Sequence, residues 1–366
     1  MPPSRRTRVL AADDSALMRR TLRRIFEADP ELELIDTARD GEDVVLKARQ
    51  LRPDVVSMDI NMPKLDGISA LQILLAEEIC PVVMLSSLTH KGAVTTFEAL
   101  ELGAFDYVGK PDGTVSDLGI VGRELCAKLK AAAASAASGR LRRRRRGAVQ
   151  MPVNEKKAAS PAPEAARRAT RADTRAIAIG ISTGGPSTIL DVIPHLPEDI
   201  NAAVFLVQHM PASFTGPFAR RLNEASALTV VEAEAGLEVQ TGHCYVARGD
   251  LHMTVYSSAS GRLFLRTPST PETLFRPSVD VMLESVLKAF GRSTIGVLMT
   301  GIGDDGAAQM VRIKEAGGYT IAESEDSAVV YGMPREAIER GGASEIRPSW
   351  EVARAILRRL GQGSSS

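Results

Sequence analysis

The chain has 366 residues, 44% hydrophobic and 25% charged, which is typical of a globular protein with more than one core. Its 45 basic residues balance 45 acidic ones, so no overall field favours nucleic acid as the main partner. The three cysteines share no metal-binding or CxxC spacing, and no apolar run reaches the roughly 20 residues of a membrane span. We therefore expect a cytoplasmic protein without membrane insertion.

Short apolar runs alternate with helical patterns over residues 7–130. Five of these runs have the composition of strands: Arg8–Ala12, Leu34–Ala38, Val55–Met58, Val82–Leu85 and Phe105–Val108. The alternation predicts a doubly wound α/β domain with a parallel sheet. Ligands of such a sheet bind beyond the carboxyl ends of the strands.

Polar residues stand at those strand ends. Asp13 and Asp14 follow the first strand, Asp59 the third, Ser86 the fourth and Lys110 the fifth. Three neighbouring carboxylates repel one another unless a cation lies among them, and Mg²⁺ prefers such oxygen ligands. With a lysine and a hydroxyl beside them, they suit a phosphoryl group carried on a carboxylate. The alternative for any single acidic residue is a helix cap, but five polar strand ends together favour a site.

With the stretch Met62–Gly67 and the pair Lys110–Pro111, these residues resemble a response-regulator receiver domain of two-component systems. The resemblance implies a flavodoxin-like (βα)5 fold over residues 1–130, with Asp59 accepting phosphate from a chemotaxis histidine kinase. The other implied roles lie at the same sheet edge: Mg²⁺ binding by Asp14, Asp59 and the carbonyl of Asn61 with Asp13 nearby, and phosphate sensing by Lys110, Ser86 and Tyr107.

Residues 131–174 differ in composition and predict a flexible linker rich in Ala, Pro and Arg, although Ala131–Ala137 favours a continuation of the preceding helix. Between Gly139 and Arg175 there are twelve basic and three acidic residues. The run Arg142–Arg146 indicates either an anion or nucleic-acid patch or a self-repelling linker. We favour the linker because no aromatic residues are interleaved for stacking on bases. Residues 362–366 predict a disordered tail.

The stretch Ala176–Pro186 indicates a second functional site. Its first six residues have the pattern of a strand buried on both faces, and Ser182 then stands where the chain turns. Gly184 and Gly185 allow a tight turn, and Pro186 suits the start of a helix predicted over Ser187–Ile193. A hydroxyl beside unpaired N–H groups suits a nucleophile and an oxyanion.

A serine nucleophile needs a base, and the base needs a partner that fixes its tautomer. Further strands are predicted over Ala203–Gln208 and Thr294–Met299, and they end at His209 and just before the pair Asp304–Asp305. An antiparallel hairpin is predicted over Glu238–Thr267, where His243 and His252 could border the site. The residues alone do not choose between the two aspartates. The order Ser, His, Asp differs from the α/β-hydrolases, where the acid precedes the histidine.

Motifs across this half resemble the chemotaxis response-regulator protein-glutamate methylesterase/protein-glutamine glutaminases, the CheB family. They are Ser182–Pro186, Gln208–Pro211, Gly249–Asp250 with His252–Met253, Arg276–Asp280, Met299–Gly301 with Asp305–Gly306, and Tyr331–Glu336. The resemblance implies a doubly wound α/β methylesterase domain over residues 175–361 that needs no cofactor. We expect such a domain to hydrolyse glutamate methyl esters on methyl-accepting chemotaxis receptors with release of methanol, and often to deamidate receptor glutamines.

By the same resemblance, Ser182 is the nucleophile, His209 the base and Asp305 its orienting partner, with backbone N–H groups near Thr183 and Ile302 stabilising the oxyanion. Arg248 and Phe275 depart from the family pattern. We expect both on the receptor-facing rim, out of contact with the triad.

The leading hypothesis is thus a monomeric esterase that phosphorylation of the receiver activates, without a nucleic-acid partner. The alternative is a receiver-controlled, non-catalytic regulator that binds DNA or acts as a scaffold. The arginine run is the only feature that favours it.

Overall fold

The computed structural model describes residues 5–110, 115–137 and 174–361. The chain divides into two compact units, Met1–Arg142 and Arg143–Ser366, and each is described by itself. The arginine run, most of the predicted linker, Pro111 and the tail 362–366 lie outside the described residues.

The first unit is a five-stranded parallel sheet with the order β2-β1-β3-β4-β5. Its strands are β1 Thr7–Ala12, β2 Leu32–Ala38, β3 Val55–Asp59, β4 Val82–Ser86 and β5 Asp106–Gly109. Its helices are α1 Ala16–Glu27, α2 Gly41–Leu51, α3 Gly67–Ala76, α4 His90–Leu102 and α5 Val115–Ala137. The strand order is that of the flavodoxin-like class, which confirms the predicted fold.

Local sequence explains why these elements begin where they do. The five residues of β3 and of β4 are all buried, as expected for central parallel strands. Side-chain oxygens of Ser15, Asp40, Asp66 and Thr89 each accept a backbone N–H in the first turn of the helix that follows. These caps fix the point at which each loop enters its helix.

The second unit is a seven-stranded parallel sheet with the order β14-β13-β12-β6-β7-β9-β8. Its strands are β6 Arg175–Ile181, β7 Ala202–Gln208, β8 Thr229–Glu232, β9 His243–Val246, β12 Thr294–Leu298, β13 Tyr319–Glu323 and β14 Glu345–Arg347. Strands β10 Thr254–Ser257 and β11 Leu263–Arg266 form a separate antiparallel pair. The helices are α6 Gly185–Thr188, α7 Ala212–Ala225, α8 Val279–Phe290, α9 Ala307–Glu315, α10 Met333–Glu339 and α11 Ser349–Leu360.

The chain leaves β6 in one direction, toward β7, and later returns to the other side of β6 to form β12. Sites in open parallel sheets form where the strand order reverses in this way. Residues 176–181 of β6 are all buried, so the strand that carries this reversal point is held within the core.

One expectation for this unit was wrong, and the predicted antiparallel hairpin was confirmed over a shorter range. The helix predicted over Ser187–Ile193 is only the single turn α6, followed by 3₁₀ turns at Ile189–Asp191 and Ile193–His195. Val192 lies between these two turns with φ −119° and ψ −65°, which departs from α-helical geometry. The antiparallel hairpin exists at β10 and β11, but His243 lies on β9, a parallel strand of the main sheet. The following residues Cys244–Val246 are fully buried, which suits a central strand.

Candidate active site

Three strands of the second sheet bring separate polar residues to one edge. Ile181, the last residue of β6, is paired with Gln208, the last of β7, so Ser182 and His209 leave the sheet side by side. On the other side of β6, the N–H of Ser182 donates to the carbonyl of Thr300, just after β12, at 2.9 Å. Parallel register alone thus places an alcohol and an imidazole at neighbouring positions.

The side chains of Ser182, His209 and Asp305 form one hydrogen-bonded chain. Ser182 Oγ lies 3.1 Å from His209 Nδ1, and His209 Nε2 lies 2.9 Å from Asp305 Oδ2. An ionised carboxylate only accepts hydrogen bonds, so Asp305 assigns the proton to Nε2 and leaves the Nδ1 lone pair facing the Ser182 hydroxyl. Chymotrypsin uses the two ring nitrogens in the opposite sense. Either nitrogen can accept the serine proton.

Asp305 is held from several sides. Its Oδ1 accepts from the hydroxyl of Ser278 and the N–H of Asp280, both at 2.9 Å, and its Oδ2 also accepts from the N–H of Val279 at 2.7 Å. Burial acts to raise the pKa of the Asp305 carboxyl, but hydrogen bonding to His209 and to these N–H groups holds that pKa below its ordinary value. The start of α8 therefore keeps this carboxylate ionised and oriented.

Two backbone donors beside the serine are available to an oxyanion. Within the part of the chain that the structure describes, the N–H groups of Thr183 and Ile302 donate to no backbone or side-chain acceptor. The loop carrying Ile302 lies close to the serine, since a Cβ on Gly301 would come within 2.8 Å of Ser182 Cβ. Unpaired donors next to a nucleophile suit the negative charge of a tetrahedral intermediate.

The turn after Ser182 depends on glycine. Gly184 has a φ of 76°, and a Cβ there would approach Val329 Cβ to 2.5 Å. An L-residue would thus be strained by its backbone conformation and excluded by its neighbour. The tight turn predicted from sequence is required by this packing.

The first unit carries a second polar cluster at the carboxyl ends of its strands. Ligand oxygens of Asp13, Asp14 and Asp59 all lie within 4.8 Å of one another. Lys110 Nζ lies 2.8 Å from both Asp13 Oδ2 and Asp59 Oδ2. Asp59 Oδ1 is buried and has no hydrogen-bond partner among the described residues. Clustered carboxylates with an unsatisfied oxygen fit a hard cation such as Mg²⁺.

Burial raises the pKa of the Asp59 carboxyl, and the opposing attraction of Lys110 does not cancel this effect. Lys110 itself has a raised pKa because its hydrogen bonds to Asp13 and Asp59 outweigh the effect of burial. The lysine is thus a fixed positive charge beside the carboxylate expected to accept phosphate.

The two switch residues implied by the receiver resemblance contact α4 and α5. Ser86 Oγ accepts from Thr96 Oγ1 of α4 at 2.6 Å. Tyr107 is 4% exposed, and Lys128 Nζ donates to its carbonyl at 2.7 Å and lies 5.2 Å from its ring centre. Sequence reasoning missed Thr96 and Lys128, which link the switch residues to α4 and α5. Neither has a local motif that would have revealed it.

Comparisons with known proteins agree with the two-part organisation. Residues 9–116 match the response regulator receiver domain, and residues 177–356 match CheB methylesterase. The chain is 55% identical over 354 residues to protein-glutamate methylesterase/protein-glutamine glutaminase 3 of Syntrophomonas wolfei, covering 96% of this chain and 98% of that protein. The chain belongs to the CheB methylesterase family.

More distant members agree with this assignment. A protein-glutamate methylesterase/protein-glutamine glutaminase of Archaeoglobus fulgidus is 44% identical, with 96% of this chain and 98% of that protein covered. The crystal structure of the Thermotoga maritima CheB methylesterase catalytic domain is 37% identical with a TM-score of 0.50, covering 51% of this chain and 98% of that one. The alternative of a non-catalytic regulator therefore has no support in the second unit. The chain is a CheB-type protein-glutamate methylesterase with a receiver domain.

One expectation for this CheB site was wrong. Phe275 was expected on the rim, away from the triad, but its ring stacks on His209 with 4.2 Å between centroids and 11° between planes. Phe275 immediately precedes the segment whose Ser278 holds Asp305, so it arrives at the site with that segment. The contact joins residues distant along the chain, and residue spacing carries no signal for it.

Other residues of the CheB site were named only as parts of motifs. Gln208 Nε2 donates to the carbonyls of Ser182 and His209, both at 3.0 Å. His252 accepts the N–H of Ser278 at Nδ1, so its Nε2 carries the proton and donates to the carbonyl of Pro271 at 2.8 Å. His252 thus borders the site as expected, through Ser278.

Among the described residues, no helix combines the length and apolarity needed to cross a membrane.

Proposed function

We propose that Ser182, His209 and Asp305 hydrolyse glutamate methyl esters of methyl-accepting chemotaxis receptors. The observation that carries the proposal is the continuous chain from Ser182 Oγ through His209 to Asp305, with spans of 3.1 and 2.9 Å. The family relationship supplies the substrate class, because the relatives are named for it.

The reaction follows from the proton positions. His209 Nδ1 takes the proton of Ser182 as Oγ attacks the ester carbonyl, and the N–H groups of Thr183 and Ile302 receive the developing oxyanion. His209 then returns the proton to the departing methoxy oxygen, which leaves as methanol. Water attacks the acyl enzyme with His209 again as base, and the glutamate carboxylate and Ser182 are released. With a glutamine substrate the same steps release ammonia.

The receiver half is proposed to control this reaction. Asp59 accepts a phosphoryl group from a chemotaxis histidine kinase, and Asp14, Asp59 and the carbonyl of Asn61 would hold Mg²⁺ with Asp13 nearby. When bound, the ion would supply charge neutralisation at the phosphoryl oxygens. Lys110 pairs with the phosphate, and Ser86 and Tyr107 change position in response. A cytoplasmic location completes the proposal, and the free cysteines suit a reducing compartment.

The test is methanol release from methylated receptors, with mass spectrometry of receptor peptides to locate the demethylated or deamidated residue. Full-length protein is measured with Mg²⁺, with and without a small phosphodonor. Ser182→Ala is expected to fold and to lose at least about 1000-fold in kcat. Ser187→Ala is the matched control, since it removes a hydroxyl from the same turn but lies outside the hydrogen-bonded chain.

Wild-type turnover by Ser182→Ala would reject the assignment of the nucleophile. Unchanged methanol release after addition of the phosphodonor would reject control by the receiver while leaving the esterase assignment intact.

A further inference from the structure

The ring of Phe275 lies flat against the imidazole of His209. The centroids are 4.2 Å apart and the planes differ by 11°, so the two rings are stacked nearly parallel and in contact. The His209 side chain is only 7% exposed, and Asp305 holds it at Nε2. His209 thus has a carboxylate at one edge, the serine at another and a phenyl ring over its face.

The segment that carries Phe275 also fixes the acid of the triad. Three residues further on, Ser278 donates to Asp305 Oδ1, and the N–H of Val279 donates to Oδ2. His252 in turn accepts the N–H of Ser278 at 3.2 Å. The phenyl ring is therefore attached to a segment that is already tied to the site.

A stack of this geometry favours one charge state of the histidine. The face of a phenyl ring carries negative potential, so a neutral imidazole stacked on it gains only the modest stabilisation of an ordinary aromatic pair. A cation over the same face is attracted electrostatically, and more strongly where water is excluded. His209 is neutral while Ser182 holds its proton and becomes an imidazolium only when it takes that proton.

We propose that Phe275 is a positioning residue that stabilises the imidazolium form of His209 through the face of its ring. The inference rests on the proposed function, in which His209 is the general base. The interaction strengthens only as the proton moves, so it lowers the barrier without tightening substrate binding. Asp305 and Phe275 then divide the task, one stabilising the cation at its edge and the other over its face.

The competing explanation is that Phe275 only fills space and shields His209 from water. Replacement of Phe275 by phenylalanines with one, two and three ring fluorines separates the two, because fluorine withdraws electron density from the face with little change in size. We expect kcat for methanol release to fall stepwise, reaching a loss of about 2- to 30-fold, with KM unchanged. A flat series would overturn the proposal.

Two sets of controls accompany the series. The same fluorinated residues at Phe264 on β11, whose ring lies 5.8 Å from that of Tyr256, are expected to leave kcat unchanged. Phe275→Tyr keeps the aromatic face and is expected to retain activity, whereas Phe275→Leu keeps bulk without the face and is expected to match the most fluorinated variant. Thermal melts identify any variant that fails to fold.

Measuring Ser182→Ala on the same receptor separates a failure of the serine mechanism from a failure of the role proposed for Phe275. If it is inactive while the fluorinated series is flat, only the role of Phe275 is rejected. If it turns over like wild type, both the serine mechanism and this inference fall.

Discussion

Two carboxylates occupy comparable places: Asp59, buried in the receiver unit, and Asp305, largely buried in the esterase unit. Each lies at the carboxyl end of a parallel sheet, and each contacts a side chain that can carry positive charge: Lys110 for Asp59 and His209 for Asp305. Their pKa values nevertheless shift in opposite directions, upward for Asp59 and downward for Asp305.

The difference lies in how the oxygens are satisfied. Asp305 accepts hydrogen bonds from Ser278, Asp280 and Val279 as well as from His209. In Asp59, Oδ1 is buried without a hydrogen-bond partner among the described residues. A carboxylate with all its lone pairs occupied is a fixed orienting charge. One that keeps an oxygen unpaired remains available to a metal ion and to phosphoryl transfer.

The largest effect is expected for Asp59, the carboxylate with the unpaired oxygen. Asp59→Asn removes the charged oxygen and is expected to abolish phosphoryl incorporation from a small phosphodonor, measured with radiolabelled donor and Mg²⁺. Chelation of Mg²⁺ is expected to have the same result. Asp36→Asn is the control, since that carboxylate lies on β2 and pairs with Lys47. Undiminished labelling of Asp59→Asn would place the acceptor elsewhere.

The fixed carboxylate is tested by Asp305→Asn. The amide cannot hold the Nε2 proton of His209 as a carboxylate does, so kcat for methanol release is expected to fall by about 10⁴-fold. Asp304→Asn is the matched control. The Asp304 side chain is 61% exposed and pairs with Arg340, and its loss is expected to change kcat less than about two-fold. Equal losses in both variants would contradict the assignment of Asp305.

A smaller effect is expected when one support of Asp305 is removed. Ser278→Ala deletes the hydroxyl that bonds Oδ1 and also caps α8, so we expect about a ten-fold loss of kcat and about 1 kcal/mol of stability. Ser285→Ala on the same helix removes a hydroxyl that bonds only backbone groups outside the triad. It should affect denaturant unfolding without affecting kcat. If Ser278→Ala behaves in the same way, its hydroxyl is only a helix cap.

The smallest effect concerns the neighbour of the fixed carboxylate. Burial, with repulsion from Asp305, raises the pKa of Asp280 from 3.8 to about 6. The folded state thus binds this proton more tightly than the unfolded state, and the free energy of unfolding falls as pH rises from about 4 to about 6. The full difference corresponds to about 3 kcal/mol, which solvent screening of a partly exposed group reduces to about 1 kcal/mol.

Asp280→Asn is therefore expected to be more stable than wild type at pH 7 and equally stable at pH 4, as measured by denaturant unfolding. Glu284→Gln on the same helix is the control, because hydrogen bonding to Lys288 lowers the pKa of Glu284. It should not gain stability at pH 7. If the difference in unfolding free energy between wild type and Asp280→Asn does not change with pH, the claim that repulsion from Asp305 raises the pKa of Asp280 is wrong.

The sequence correctly predicted the placement of the site residues that lie at the ends of strands. Buried apolar runs predicted β6 and β7, and parallel pairing explains why Ser182 and His209 are neighbours. The same reasoning brought Asp13, Asp14 and Asp59 to one edge of the first sheet. The positions of site residues that are set by strand register could therefore be predicted from the sequence.

Site residues outside the strands were harder to predict from the sequence. Asp304 and Asp305 are the same residue type in adjacent positions, and their contacts in the structure distinguish them. His209 and the start of α8 bind Asp305, whereas Asp304 pairs with Arg340. Phe275 was wrongly expected away from the triad. Its contact with His209 depends on the path of a loop, which the sequence pattern does not predict. The length of α6 was overestimated because apolar spacing over Ser187–Ile193 does not distinguish an α-helix from successive 3₁₀ turns.

The central claim is that His209, held by Asp305, makes Ser182 a nucleophile. The most direct measurement is the rate of reaction with a fluorophosphonate, with the adduct located by peptide mass spectrometry. We expect a single adduct on Ser182, formed much more slowly in Asp305→Asn than in Asp304→Asn. An adduct on another residue, or a rate that neither substitution changes, would contradict the account.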